Sequence, residues 1–99
     1  MTHPPVDITE LGPGWCSPDE ALSTQLLAEL KSEAPIGHAL DGVTVEAVAV
    51  KKLLKDVILW LPETEQWAAV HLTYKQEPDL RWPSTTIAAT WDDLLAEIL

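Results

Sequence analysis

Four side chains in this sequence could ligate a metal or carry a proton near neutral pH: His3, Cys16, His38 and His71. A protein zinc site is usually nucleated by a close pair of Cys or His ligands that meets the ion before the rest of the chain has folded. Here the four lie in four separate segments, so we expect no metal and no other cofactor. An imidazole works as acid or base when a carboxylate or a second imidazole shares its pocket. His38 and His71 are therefore the candidate catalytic residues, with Glu77 or Asp79 as the accompanying carboxylate. The other reading makes both histidines structural, with His71 filling a sheet position while a ring nitrogen finds a backbone or loop acceptor, and this is the one we take. The chain has no Gly-rich phosphate loop, HExxH, paired CxxC or G-x-S-x-G nucleophile elbow, which removes the chemistries those motifs support. A lone cysteine also rules out an intramolecular disulfide and gives no sign of an oxidising compartment.

Large aromatic and charged side chains suggest binding rather than catalysis. The chain holds five tryptophans and no phenylalanine, and a ring with a polar N–H suits half-buried positions and interfaces. Trp60 and Trp91 read as core. Trp67, His71 and Thr73 share one strand face, and Trp82 lies in the loop beyond it; these four are candidate partner-binding residues. Trp82 can equally fold back and cover Trp67. Six basic against sixteen acidic residues give a net charge of −10, and within residues 1–50 eight acids face Lys31 alone, a net of −7. Nucleic acid is then an unsuitable partner, because phosphate binding needs clustered Lys and Arg. Lys51, Lys52 and Lys55, the one basic cluster, read as a solvated turn. Asp19, Glu20, Glu29 and Glu33 fall on the predicted solvent side of a helix, and Glu29 and Glu33 join the candidate contact residues for a basic protein partner.

The elements that position these residues follow from pattern. Ninety-nine residues suit one domain with a single core. Residues 1–16 hold three prolines and two glycines and read as an extended arm anchored by Trp15. Ser17, Pro18 and Glu20 resemble a capped helix start, and Leu22, Leu26, Leu27 and Leu30 form one buried stripe over a helix spanning 17–34. Pro35 ends it. Strands are expected at 43–51, at DVILWLP and at WAAVHLTY, giving a three-stranded antiparallel sheet over 43–74 whose last two strands form a hairpin. DVILWLP is continuously apolar, as a strand covered on both faces would be. Alternation puts Ala68, Val70, Leu72 and Tyr74 on one face, which we place against the helices, and Trp67, Ala69, His71 and Thr73 on the other. Residues 75–89 read as a long loop, and Thr90 caps a C-terminal helix over 90–99 with an apolar stripe of Trp91, Leu94, Leu95, Ile98 and Leu99. The expected fold is α+β, in the order α-β-β-β-α, with the helices mainly on one face of the sheet.

The stretches Gly37-His38-x-Leu40, Asp56-Val57-Ile58-Leu59, Val70-His71-Leu72-Thr73-Tyr74 and Trp82-Pro83-x-Thr85 resemble a family of small bacterial proteins of about this length, over roughly residues 26–95. The family pattern has proline after Gly-His and tryptophan after His-Leu-Thr, where this chain has Ala39 and Tyr74. The resemblance singles out His38, His71, Thr73, Trp82 and Pro83 and implies a bacterial cytoplasmic protein, but no activity, substrate or catalytic residue. No segment reaches the ~18 apolar residues of a membrane span, and the N-terminus lacks the basic start and apolar run of a signal peptide. We therefore expect a cytoplasmic, non-enzymatic interaction domain, with no membrane or nucleic-acid partner. It would bind a basic protein or a second copy of itself through the Trp67/His71 face. One form of this is an immunity or antitoxin-like inhibitor that meets a basic toxin by complementary charge. The competing class is a small enzyme that uses His38 and His71.

Overall fold

Among the described residues, five strands form one antiparallel sheet in the order β1-β2-β3-β4-β5. They are β1 (Trp15–Cys16), β2 (Glu46–Lys51), β3 (Asp56–Leu61), β4 (Gln66–His71) and β5 (Ser84–Ala88), accompanied by helices α1 (Glu20–Glu33) and α2 (Trp91–Ile98) and a 3-10 turn at Ile8–Leu11. The computed structural model describes residues 3–33, 37–51, 55–72 and 84–98. The three expected strands are present as β2, β3 and β4, and β3 and β4 form the expected hairpin, in register from Leu61↔Gln66 to Asp56↔His71. Two further strands correct the expectation. The supposed arm contributes β1, which pairs with the end of β2 through Trp15↔Lys51 and Cys16↔Val50. The supposed loop over 75–89 contains β5, paired with β4 from Trp67↔Ala88 to His71↔Ser84.

Helix boundaries follow local chemistry. Asp19 Oδ1 accepts a hydrogen bond from the Leu22 backbone N–H at 2.8 Å, which makes Asp19 the cap of α1 in place of Ser17. Thr90 caps α2 as expected, its hydroxyl accepting from the Asp93 N–H at 3.1 Å. Asp92 and Asp93 then lie at the positive end of the α2 dipole.

The two helices cover opposite faces of the sheet, which corrects their expected placement on one side. Along β3, residues alternate between two apolar clusters. Val57, Leu59 and Leu61 pack with Leu26 and Leu30 of α1 and with Ala68, Val70 and Leu72, while Ile58 and Trp60 pack with Leu94 of α2, Trp67, Ala88 and Leu11 of the 3-10 turn. The continuous apolar character of β3 required this cover, since a central strand buried on one face only would expose every second side chain. Leu94 is fully buried. Trp91, Leu95 and Ile98 flank it against the same cluster, so a helix too short to persist alone is held by docking. α1 lies over β2, and α2 over β4 and β5. In β2 the register with β3 slips between Ala47 and Ala49, a bulge at Val48 that turns both Val48 and Ala49 toward the α2 cluster.

Candidate functional site

The α2 face of the sheet is open beyond the helix C-terminus. There the chain forms a notch of about 240 Å³ lined by Trp15, Lys51, Asp56, Val57, Ala69, Val70, His71, Thr86 and Ile98. Asp56 and His71 are direct cross-strand partners, so their side chains leave the same face. His71 Nδ1 lies 2.9 Å from Asp56 Oδ1. With Nδ1–H donating to the carboxylate, Nε2 becomes the free acceptor, the tautomer a general base requires. Both side chains remain nearly half exposed, at 48% and 42%. Water competes for the contact, which then adds less than about 1 kcal/mol to stability. Lys51 Nζ sits 5.8 Å from the Trp15 ring centroid at the notch wall, within cation–π range.

His38 is elsewhere. Its ring is buried, and Nδ1 accepts from the Leu40 N–H at 3.1 Å. The turn folds around it: the Asp41 N–H donates to the His38 carbonyl at 2.9 Å, the Val43 N–H to the Leu40 carbonyl at 3.2 Å, and the Gly37 N–H to Asp41 Oδ2 at 3.1 Å. Gly37 and Gly42 take φ of 92° and 72°, a backbone state in which side-chain residues are strained. Leu40 inserts into the α1-side cluster, whereas His71 projects on the α2 side. The two histidines do not share the notch, and the carboxylate beside His71 is Asp56. Glu77 and Asp79 lie outside the described residues. Sequence reasoning passed over Asp56: counting outward from the expected ETEQ loop sets it opposite Thr73, whereas the observed turn at 62–65 shifts the register and sets it opposite His71.

No family model, curated protein or solved structure matches the chain.

The remaining candidate residues divide by burial. Trp67 is only 4% exposed. Its ring lies 4.8 Å from Trp60 and 5.0 Å from Trp91, with His3 at 6.1 Å. The face we expected to be free for a partner is thus closed around Trp67 by α2 and the N-terminal segment. Thr73, Trp82 and Pro83 lie outside the described residues. Glu33, expected on the solvent side of α1, is buried, and Glu29 is half-buried. Hydrogen bonding to the Glu33 side chain holds the Glu29 carboxyl above its ordinary range, and partial burial and the repulsion of Glu33 act in the same direction.

Exposed acidity gathers instead on the α2 side. Asp7 and Glu10 at the 3-10 turn and Asp92, Asp93 and Glu97 on α2 are all exposed, and neither element carries Lys or Arg. Trp91 Nε1–H donates to Glu10 Oε1 at 3.3 Å and ties the two elements together. Asp7 accepts from both the hydroxyl and the N–H of Thr9, which holds its carboxyl below the ordinary range. Among the described residues, no group of three His, Cys, Asp or Glu could hold a metal ion, and no helix is long and apolar enough to cross a membrane.

Proposed function

We propose that the protein is a non-enzymatic binding domain that docks a basic protein partner on the surface formed by the 3-10 turn and α2, with a small acidic inhibitor as the specific form of that role. The observation that supports this is the gathering of five exposed carboxylates on two tethered elements without a single Lys or Arg between them. Same-sign charge on one face steers an oppositely charged partner and speeds encounter, an effect screened over about 8 Å at physiological ionic strength. The test compares proteins captured from the source organism by the native chain and by a variant carrying Asp92→Asn, Asp93→Asn and Glu97→Lys, at low and high salt. A basic protein bound by the native chain, lost on the variant and weakened by salt is the expected result. A partner held equally by both forms would refute the assignment of this surface.

A second reading is favoured by the contact between Asp56 and His71. An imidazole with a carboxylate on Nδ1 and a free Nε2 beside a notch is a general base in waiting, and it revises the enzymatic alternative from His38 with His71 to Asp56 with His71. Hydrolysis of p-nitrophenyl acetate is a direct probe. Turnover that falls in His71→Gln and in Asp56→Asn supports this reading. Equal rates in all three proteins remove it.

A further inference from the structure

The register of the sheet brings four chemically distinct residues into one row on the α2 side. Trp15 pairs with Lys51, and Asp56 with His71. One step beyond Val50↔Val57, the antiparallel register of β2 and β3 sets Lys51 beside Asp56. All four residues line the notch of about 240 Å³, together with the apolar Ala69 and Ile98. Asp56 is turned to the imidazole of His71, whereas the exposed Lys51 ammonium lies over the Trp15 ring and, among the described residues, has no carboxylate partner. In a chain with sixteen acids and six bases, a cation placed in this way leaves its charge available to an anion from outside.

We propose that the notch binds a short-chain organic acid, with Lys51 holding the ionised carboxylate, Trp15 keeping the ammonium at the notch wall, and Ala69 and Ile98 lining the path of the methylene chain. Neighbouring strands stand about 5 Å apart, so Lys51 and His71, two strands apart, leave the sheet about 10 Å from each other. That span suits a chain of a few carbons with a carboxylate at one end and a reacting group at the other. The notch is smaller than the pockets of about 300 Å³ and upward that hold drug-sized ligands, which favours such a molecule over an oligomer. The catalytic part of this inference rests on the second reading above and names its substrate class: esters whose acyl chain ends in a carboxylate. His71 Nε2 takes a proton from water as the water oxygen bonds to the ester carbonyl carbon, then gives it to the alcohol oxygen as the ester C–O bond breaks. Asp56 positions the ring, and Lys51 determines which ester is accepted.

Binding and turnover are measured separately. Monomethyl adipate is titrated into the native chain, Lys51→Gln and Lys51→Arg while the His71 ring protons are followed by NMR, with dimethyl adipate as the uncharged control. Lys51 is exposed, so both variants should keep the native circular dichroism spectrum. Saturable shifts are expected with monomethyl adipate in the native chain and in Lys51→Arg. Affinity should fall about tenfold in Lys51→Gln, the worth of one charge-assisted hydrogen bond, and dimethyl adipate should bind no better than that variant does. A native chain that never saturates, or one that binds the monoester no more tightly than Lys51→Gln or than it binds the diester, overturns the site. Hydrolysis is then compared between p-nitrophenyl acetate and mono-p-nitrophenyl adipate. A preference for the adipate ester in kcat/KM, lost in Lys51→Gln through a raised KM, supports the substrate class. Hydrolysis that depends on His71 but shows no such preference overturns the substrate class and leaves the second reading standing. Equal rates in the native chain and His71→Gln for both esters remove the second reading and its substrate class together, while the acid-binding site stands or falls on the titration.

Discussion

Glu29 and Glu33 show how one side chain departs from a pattern that is right for its helix. The leucine stripe at 22, 26 and 30 turns inward as its spacing implies, with Leu26 and Leu30 buried and Leu22 partly so, yet Glu33 falls three residues after Leu30 and seven after Leu26, in line with the same stripe. Its charge marked it as a surface residue, whereas helical geometry carries it inward. Two consequences are measurable. Glu33→Lys should unfold the protein at markedly lower denaturant, because it places a second kind of charge in a buried position, where an exposed site would tolerate the change. Glu29→Gln should raise stability at neutral pH by about 0.5 kcal/mol, the scale of a like-charge i,i+4 pair, and Gln can still donate to Glu33. The sign follows from linkage. Because the folded Glu29 carboxyl is held high, its stabilisation is present below the unfolded range of a glutamate and is lost as pH rises through the folded value. Asp7 runs the other way: its contribution is present above the ordinary aspartate range and is lost as pH falls through its lowered value. Denaturant midpoints across acid to neutral pH for the native chain, Glu29→Gln and Asp7→Asn would resolve both trends. Trp67→Ala should cost about 3–5 kcal/mol, since the ring is enclosed between Trp60, Trp91 and His3. A loss under 1 kcal/mol would show that the ring is not a core residue.

At the scale of elements, α2 explains why the sheet face around Trp67 is covered. Its apolar stripe of Trp91, Leu94, Leu95 and Ile98 was legible from spacing, as were the alternation of β4 and the two-sided burial of β3. Which face α2 would cover was not legible, because a stripe states that a helix must dock and not where. Leu94→Ala should therefore cost about 2–5 kcal/mol and make the environment of Trp67 more polar, seen as a red shift in tryptophan emission. If α2 were only an appendage, both stability and emission would be unchanged. The edge strands were missed for different reasons. A two-residue strand has no period to detect, and β5 follows a stretch with two prolines whose turn character masked the β-branched run at its end. The Asp56–His71 contact was not legible, because the expected ETEQ loop pairs Asp56 with Thr73 and only the observed turn at 62–65 brings it opposite His71.

For the molecule as a whole, charge and topology act together. Three of its six basic residues lie at positions 51–55, and Lys51 lines the notch that Ile98 of α2 also borders. Self-repulsion at a net −10 opposes compaction, and raising salt should therefore increase the denaturant midpoint of the native chain modestly. A midpoint indifferent to salt would mean that the carboxylates are too dispersed to act on one another. What the amino-acid order determined by itself was local: the α+β class, both helical stripes, the β3–β4 hairpin, and the absence of the common catalytic motifs. These rest on neighbours a few residues apart, whose spacing fixes which side of an element they share. Tertiary structure alone decided that the helices flank the sheet on opposite sides, that Trp67 is enclosed and Glu33 buried, that His38 and His71 are separated, and that β5 pairs with β4. Each of these depends on which distant surfaces meet, and a residue's type states only what it would lose by being buried, while packing decides whether it is.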